Sequence, residues 1–151
     1  MSSNRLFVYG TLMLDEVMNT LIDRIPDRSE EVAINSMVVR LPGRMYPGLV
    51  PKQGSTSHGL AYSGLTTDEW LLLDTFEDPA YDLVEVPVAS GGVPALSYVW
   101  SGAHEGADWS DSNVSLQELA DYVRRCRSWR RWYDNEGKHR PSLRLTTRWL
   151  H

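Results

Sequence analysis

Only one cysteine, Cys126, occurs in the 151 residues, so no internal disulfide can form and no thiolate metal cluster can be built. Long apolar runs are missing as well. None approaches the ~20 residues a helix needs to cross a bilayer, and no membrane association is expected. The opening "MSSNRLFVYG" lacks a charged n-region leading into a long apolar h-region, so no signal peptide is expected and the expected setting is cytoplasmic. Basic charge is not in excess: 15 Lys+Arg against 20 Asp+Glu give a net charge of -5. That balance favours solubility and leaves no global basic footprint, so no nucleic-acid partner is expected. Recognisable reaction motifs are scarce too. There is no G-x-S-x-G nucleophile elbow, no phosphate-binding loop and no dinucleotide fingerprint. His58, His104, His139 and His151 have no metal-ligand spacing, so neither a metal nor a cofactor is expected.

What remains is an ordinary globular composition, 42% hydrophobic and 23% charged, long enough for one domain over residues 1–151 with its own core. Charge is unevenly placed. From Arg124 onward "RRCRSWRRWYDNEGKHRPSLRLTTRW" is rich in arginine and tryptophan. The simple reading is a helix with arginines in water and tryptophans on the core, and Cys126 a buried structural thiol. The alternative is a face for an anion, RNA or a partner chain.

"RLFVYG" reads as a first strand ending at Gly10, and "LMLDEVMNTLIDRI" as a helix stopped by Pro26. "EEVAINSMVVRL" reads as a second strand closed by Pro42-Gly43. "RMYPGLVP" reads as a turn or brief edge segment. "KQGSTS" has turn chemistry, pairing with the strand "HGLAYSGL" as a hairpin. "TTDE" places Thr66 at an N-cap with Glu69 three residues on, a capping box, and the helix "WLLLDTFE" ends at Asp78-Pro79. "YDLVEVPVA" and "VPALSYVW" flank "SGG" as a hairpin. "SLQE" is a second capping box, opening a basic C-terminal helix from about residue 115. A last strand is expected over "LRLTTRW". Hairpins with interspersed helices make an α+β fold, a small mixed β-barrel with helices outside or an open sheet.

Glu77 stands out. Residues 70, 73, 74 and 77 share one side of their helix, and Trp70 and Leu73 must be buried for it to pack. Burial, the negative end of the helix and Asp74 one turn back all raise the pKa of Glu77. A carboxyl tuned towards neutrality suits general acid–base work. The alternative is a carboxylate in water or paired with an arginine. "VYGTL" supplies a second element, a turn after a strand whose N–H groups can bind an anion; otherwise it is a plain strand-to-helix connection.

The ordered set "FVYGTL", "GRMYPGLVP", "HGLAY", "LDTFEDPAYDLVEV" and "SYVW" resembles the γ-glutamylcyclotransferase-like family, its AIG2-like branch most of all, over about residues 5 to 100. The resemblance implies a small β-barrel with flanking helices. It also implies a cofactor-independent reaction in which the α-amine of a γ-glutamyl amide attacks its own γ-carbonyl, giving 5-oxoproline and a free amine. It assigns Glu77 as the catalytic acid/base, Tyr9, Gly10, Thr11 and Leu12 as the substrate-gripping loop, and Tyr81 and Tyr98 as cavity walls. For the two tyrosines the alternative is strand packing with satisfied hydroxyls. Tyr46 is read as rigidifying its turn, with shaping of the cavity mouth as the alternative. Where many relatives read Y-x-R, this chain has Tyr81-Asp82-Leu83. The basic helix is poorly matched, and closing the cavity, forming a homodimer face or docking an acidic partner are the roles open to it. Two rival functions follow: a pathway-specific enzyme of the same fold acting on a γ-glutamyl-protected intermediate, and a non-catalytic interaction module.

Overall fold

The computed structural model describes residues 5–104, 109, 114–139 and 144. Along these residues run β1 (Leu6–Val8), α1 (Asp15–Ile22), β2 (Arg28–Val39), β3 (Gly48–Tyr62), α2 (Thr67–Phe76), β4 (Tyr81–Val86), β5 (Ala95–Trp100) and α3 (Leu116–Asn135). The strands form one mixed sheet in the order β2-β3-β1-β5-β4, in which only the β1–β5 neighbours run parallel.

β1 is short and wholly buried, and its early end decides where the site lies. Beyond Val8 the sheet closes up, and β3 meets β5 directly in parallel, Leu49 opposite Val99. The other half of β3 runs antiparallel to β1, with Leu60 opposite Val8. One strand satisfies both pairings only by reversing direction, and a bulge does this. The register slips between Ile34 and Ser36, where Asn35 faces residues 52–55 of β3. Asn35 and Gly54 adopt φ of 53° and 85°, and the Gly54 N–H donates to Asn35 Oδ1 at 2.9 Å.

This bend corrects two sequence expectations. "KQGSTS" is not the turn of a hairpin with "HGLAY"; it is the bulged middle of a single strand whose partner is β2. Gly48–Pro51, expected as a turn or edge, is the start of that strand. Local turn chemistry at Gly54 kinks the ladder, but pairing resumes at Thr56 opposite Ile34 because Asn35 satisfies the corner.

The bend also brings the outer strands together. Ala33 bridges Val88, with Ile34 N–H donating to Pro87 O and Ala89 N–H to Val32 O, both at 2.9 Å. The α+β fold is as expected, while the barrel is a strongly bent sheet joined by one bridge rather than closed by a ladder. Pro87 has no N–H with which to extend that seam. Glu31, nearly fully buried beside it, accepts from Arg5 at 3.0 Å and from the Ser90 hydroxyl at 2.6 Å. Burial works against its charge, but hydrogen bonds from Ser90, Val32 and Arg5 prevail and hold it down to about 2.

Both predicted capping boxes are present: Thr66 with Glu69 opens α2, and Ser115 with Glu118 opens α3. α1 ends sooner than Pro26 requires. Asp23 turns left-handed at φ 64° and its N–H closes onto Asn19 O at 2.9 Å. α3 packs against α1, and Arg130 Nη1 donates to Leu21 O at 2.7 Å and to Asp23 Oδ2 at 2.8 Å, capping α1 with positive charge. As the sequence suggested, Arg124, Arg125, Arg127 and Arg131 are exposed, while Trp129 and Trp132 pack on the core. Among the described residues no helix is long and apolar enough to cross a membrane. The strand expected over "LRLTTRW" lies outside the described residues, Arg144 excepted.

Candidate active site

A cavity of about 510 Å³ opens where β1 ends, and all eight site residues expected from sequence line it: Tyr9 to Leu12, Tyr46, Glu77, Tyr81 and Tyr98. The chain leaves β1 through Gly10 and makes a single 3-10 turn, Thr11–Met13, in which Met13 N–H donates to Gly10 O at 2.9 Å and Leu14 N–H to Thr11 O at 3.1 Å. The N–H groups of Thr11 and Leu12 lead the turn and have no partner within it. The Tyr62 hydroxyl holds the turn from below, donating to Leu12 O at 2.8 Å, and Thr11 Oγ1 donates to the Tyr122 hydroxyl of α3 at 3.3 Å.

Gly10 is required by contact. A Cβ there would stand 2.6 Å from Pro47 Cδ and 2.7 Å from its Cγ. Gly10→Ala is therefore expected to push the Tyr46–Pro47 segment off the cavity rim, costing about 1–3 kcal/mol. A lowered urea midpoint, with weakened binding of any cavity ligand, checks this. An unchanged midpoint would show that the rim yields freely.

That rim is held from the other side by Asp78. The Tyr46 hydroxyl donates to Asp78 Oδ2 at 2.8 Å, and Arg44 Nε lies 3.3 Å from the same oxygen. Arg44 also stacks over Trp100, 4.8 Å from its ring centroid. Tyr46 thus lines the cavity, and its hydroxyl is pinned to Asp78. Tyr81 and Tyr98 combine the two roles left open for them, and Tyr9 is held in the same way. They line the cavity, yet their hydroxyls are committed: Tyr9 to Tyr98 O at 2.5 Å, Tyr98 to Asp74 Oδ1 at 2.7 Å, and Tyr81 to Pro47 O. Burial raises the pKa of all three, so they remain neutral hydroxyls.

Glu77 is the C-cap of α2. Its N–H still bonds back to Leu73 O at 3.1 Å, but its own backbone is extended (φ -69°, ψ 142°), which swings the side chain out of the helix and onto the cavity. Trp70 and Leu73 are buried, as the spacing predicted, and Asp74 on the same side is buried with them. Glu77 itself is half-buried and lines the cavity. No described residue donates a hydrogen bond to its carboxylate. Burial raises its pKa to about 8, the Arg144 guanidinium opposes this, and Asp74 and Asp78 add to it. Neither bland alternative holds: the side chain is not in open water, and Arg144 bonds its main-chain carbonyl rather than its carboxylate.

α3 walls one side of the cavity, one of the roles left open for the basic helix, through residues that the sequence did not single out. Tyr122, Arg125, Cys126 and Trp129 line the cavity, and Trp129 meets Phe76 edge-on at 5.0 Å. Their helical spacing marks an inward stripe, but nothing in it separates a cavity wall from plain core. Cys126 is buried and its thiol is pushed up to about 12, so it stays protonated, in keeping with a structural role. Among the described residues no group of acids, histidines and thiols could hold a metal ion.

The family model described as Gamma-glutamyl cyclotransferase, AIG2-like matches residues 6–123. The chain belongs to this family. AIG2-like protein C of Arabidopsis thaliana is 38% identical over 125 residues, covering 78% of this chain and 73% of that protein. AIG2-like protein D of the same plant is 33% identical over 100 residues, covering 63% of this chain and 66% of its own length. The solution structure of an Arabidopsis thaliana protein overlays with a TM-score of 0.61 at 25% identity, covering 91% of this chain and 94% of that one. A solved gamma-glutamyl cyclotransferase overlays with a TM-score of 0.50 at 13% identity, covering 80% of this chain and 98% of that one, a likeness of fold alone. Within this AIG2-like domain, Leu83 is buried on β4 opposite Tyr98.

Proposed function

We propose that this protein cyclises a γ-glutamyl amide to 5-oxoproline with release of the free amine, and that Glu77 carries the proton. The observation that supports this most directly is the meeting, in one cavity, of a carboxyl with a pKa near 8 and the turn that presents the Thr11 and Leu12 N–H groups.

In this reading the substrate's α-carboxylate rests against the turn. Glu77 takes a proton from the α-ammonium, and the freed amine attacks the γ-carbonyl carbon. A C–N bond forms to close the five-membered ring. As the tetrahedral intermediate collapses, the original amide C–N bond breaks, Glu77 returns its proton to the leaving nitrogen, and the ring nitrogen gives its surplus proton to the released amine, which departs as an ammonium. No water is consumed and no covalent enzyme intermediate is needed. A carboxyl near 8 lies close to the range of an α-ammonium group, so the proton passes either way at little cost. The nucleophile is part of the substrate, so fixing one conformer between aromatic walls supplies much of the acceleration.

The test is incubation with a panel of γ-glutamyl amides and mass detection of 5-oxoproline together with the released amine. Stoichiometric appearance of both is the expected result; release of glutamate instead would mean hydrolysis and end the cyclisation reading. The buried Leu83 favours a second reading, in which the same chemistry acts on a γ-glutamyl-protected intermediate of a dedicated pathway. Turnover of such a compound, with simple γ-glutamyl amides inert, would separate the two.

A further inference from the structure

We propose that Arg144 is a positioning residue for Glu77: it binds the end of α2 and the following turn into one unit, and so holds the Glu77 carboxyl against the cavity. This rests on reading Glu77 as the proton carrier. Arg144 comes from the C-terminal segment, outside the stretch that the family model matches.

The geometry is specific. Arg144 Nη1 donates to Asp78 O at 3.0 Å and to Tyr81 O at 2.9 Å, and Nη2 donates to Glu77 O at 3.1 Å and to Asp74 O. Its Nε lies 3.0 Å from Asp74 Oδ1, and the guanidinium carbon stands 5.3 Å from the centre of the Tyr98 ring. One side chain thus engages the carbonyls on both sides of Glu77, a buried carboxylate and an aromatic face. The last carbonyls of a helix have no partner within it and carry partial negative charge. α2 has no basic residue in its own last turn to answer them. A planar fork with five N–H donors can serve several such carbonyls at once, where an ammonium cannot.

No other group near Glu77 takes this part. Asp74 and Asp78 on its own segment repel its charge, and the buried hydroxyls of Tyr9, Tyr81 and Tyr98 stay neutral. From the rim, Arg44 and Tyr46 are committed to Asp78. From α3, Tyr122 and Cys126 remain protonated, and the exposed Arg125 stacks on Tyr122 at 5.5 Å. Arg144 is the one described cation that acts on the Glu77 carboxyl.

The experiment compares the full-length wild type with R144Q and R144K, measuring kcat and KM across pH on a γ-glutamyl amide that the wild type turns over. Side-chain carbon NMR follows the titration of Glu77, identified by its absence in E77Q. R144Q is expected to lower kcat about 10- to 100-fold with KM nearly unchanged, because the carboxyl is misplaced rather than the substrate lost. Its Glu77 titration and the acid limb of its rate profile should move up by about one pH unit. R144K should return the titration towards the wild type while recovering only part of kcat. Wild-type kcat and an unmoved titration in R144Q would overturn the proposal, as would full recovery of kcat by lysine. If R144Q does not fold, R144K decides alone: reduced kcat supports the proposal and wild-type kcat ends it. If the wild type turns over no γ-glutamyl amide, the functional reading fails, and the Glu77 titration in R144Q still tests the tie.

Discussion

Glu77→Gln is expected to lower 5-oxoproline formation by about 10²- to 10⁴-fold while leaving the fold and KM nearly unchanged. The substitution suits the site. Below pH 8 the wild-type carboxyl is mostly protonated, so the enclosed position already accepts a neutral group of that shape. Glutamine keeps the volume and the neutrality and removes only the exchangeable proton. The Tyr46–Asp78 contact and the Thr11 turn do not involve the Glu77 side chain and stay in place. The loss should therefore appear in kcat, measured as product against time for both proteins at equal folded concentration. Equal rates would remove Glu77 from the chemistry and leave the cavity as a binding site only.

The same substitution should raise stability at alkaline pH. The folded-state pKa of Glu77 is about 8, against an ordinary value of 4.5. Between those limits the folded protein holds a proton that the unfolded chain has released, so its stability falls as pH rises through that window and levels off above it. At about 1.4 kcal/mol for each pKa unit, the upper bound above pH 8 is on the order of 5 kcal/mol. Solvent reaching the half-buried group through the cavity should reduce this to about half. The glutamine side chain does not titrate, so E77Q and the wild type should share a melting temperature near pH 4 and diverge by about pH 9, with E77Q higher. Glu31 also makes stability depend on pH, but it is present in both proteins and drops out of the difference. Parallel curves across this range would show that Glu77 ionises freely in the folded state.

Much of the fold was legible locally because its signals are local. A Ser or Thr followed three residues later by Glu marks a helix start whether or not the rest of the chain is known, and both such boxes are present. The alternation in "YDLVEV" and "ALSYVW" about a glycine pair marks a hairpin, and β4 pairs with β5 there. Residues 48–57 were misread for the complementary reason. Turn-forming residues make a hairpin turn or a bulge according to what lies opposite, and what lies opposite Gly54 is Asn35, 19 residues earlier.

For the site, the sequence by itself determined that an acid ends an amphipathic helix whose other inward residues are apolar. It also placed a glycine-containing turn after the first strand. Helical periodicity and chain direction suffice for both. Only the tertiary structure decided that these two features face one cavity, because β1 ends early enough for the bent β3 to join β5 behind it. It also decided that α3 walls that cavity and that Arg144 ties the turn carrying Glu77. A guanidinium reaching carbonyls 63 to 70 residues away leaves no periodicity, spacing or composition to read. Main-chain carbonyls are common to every residue, so the sequence of the bound segment carries no mark of its partner.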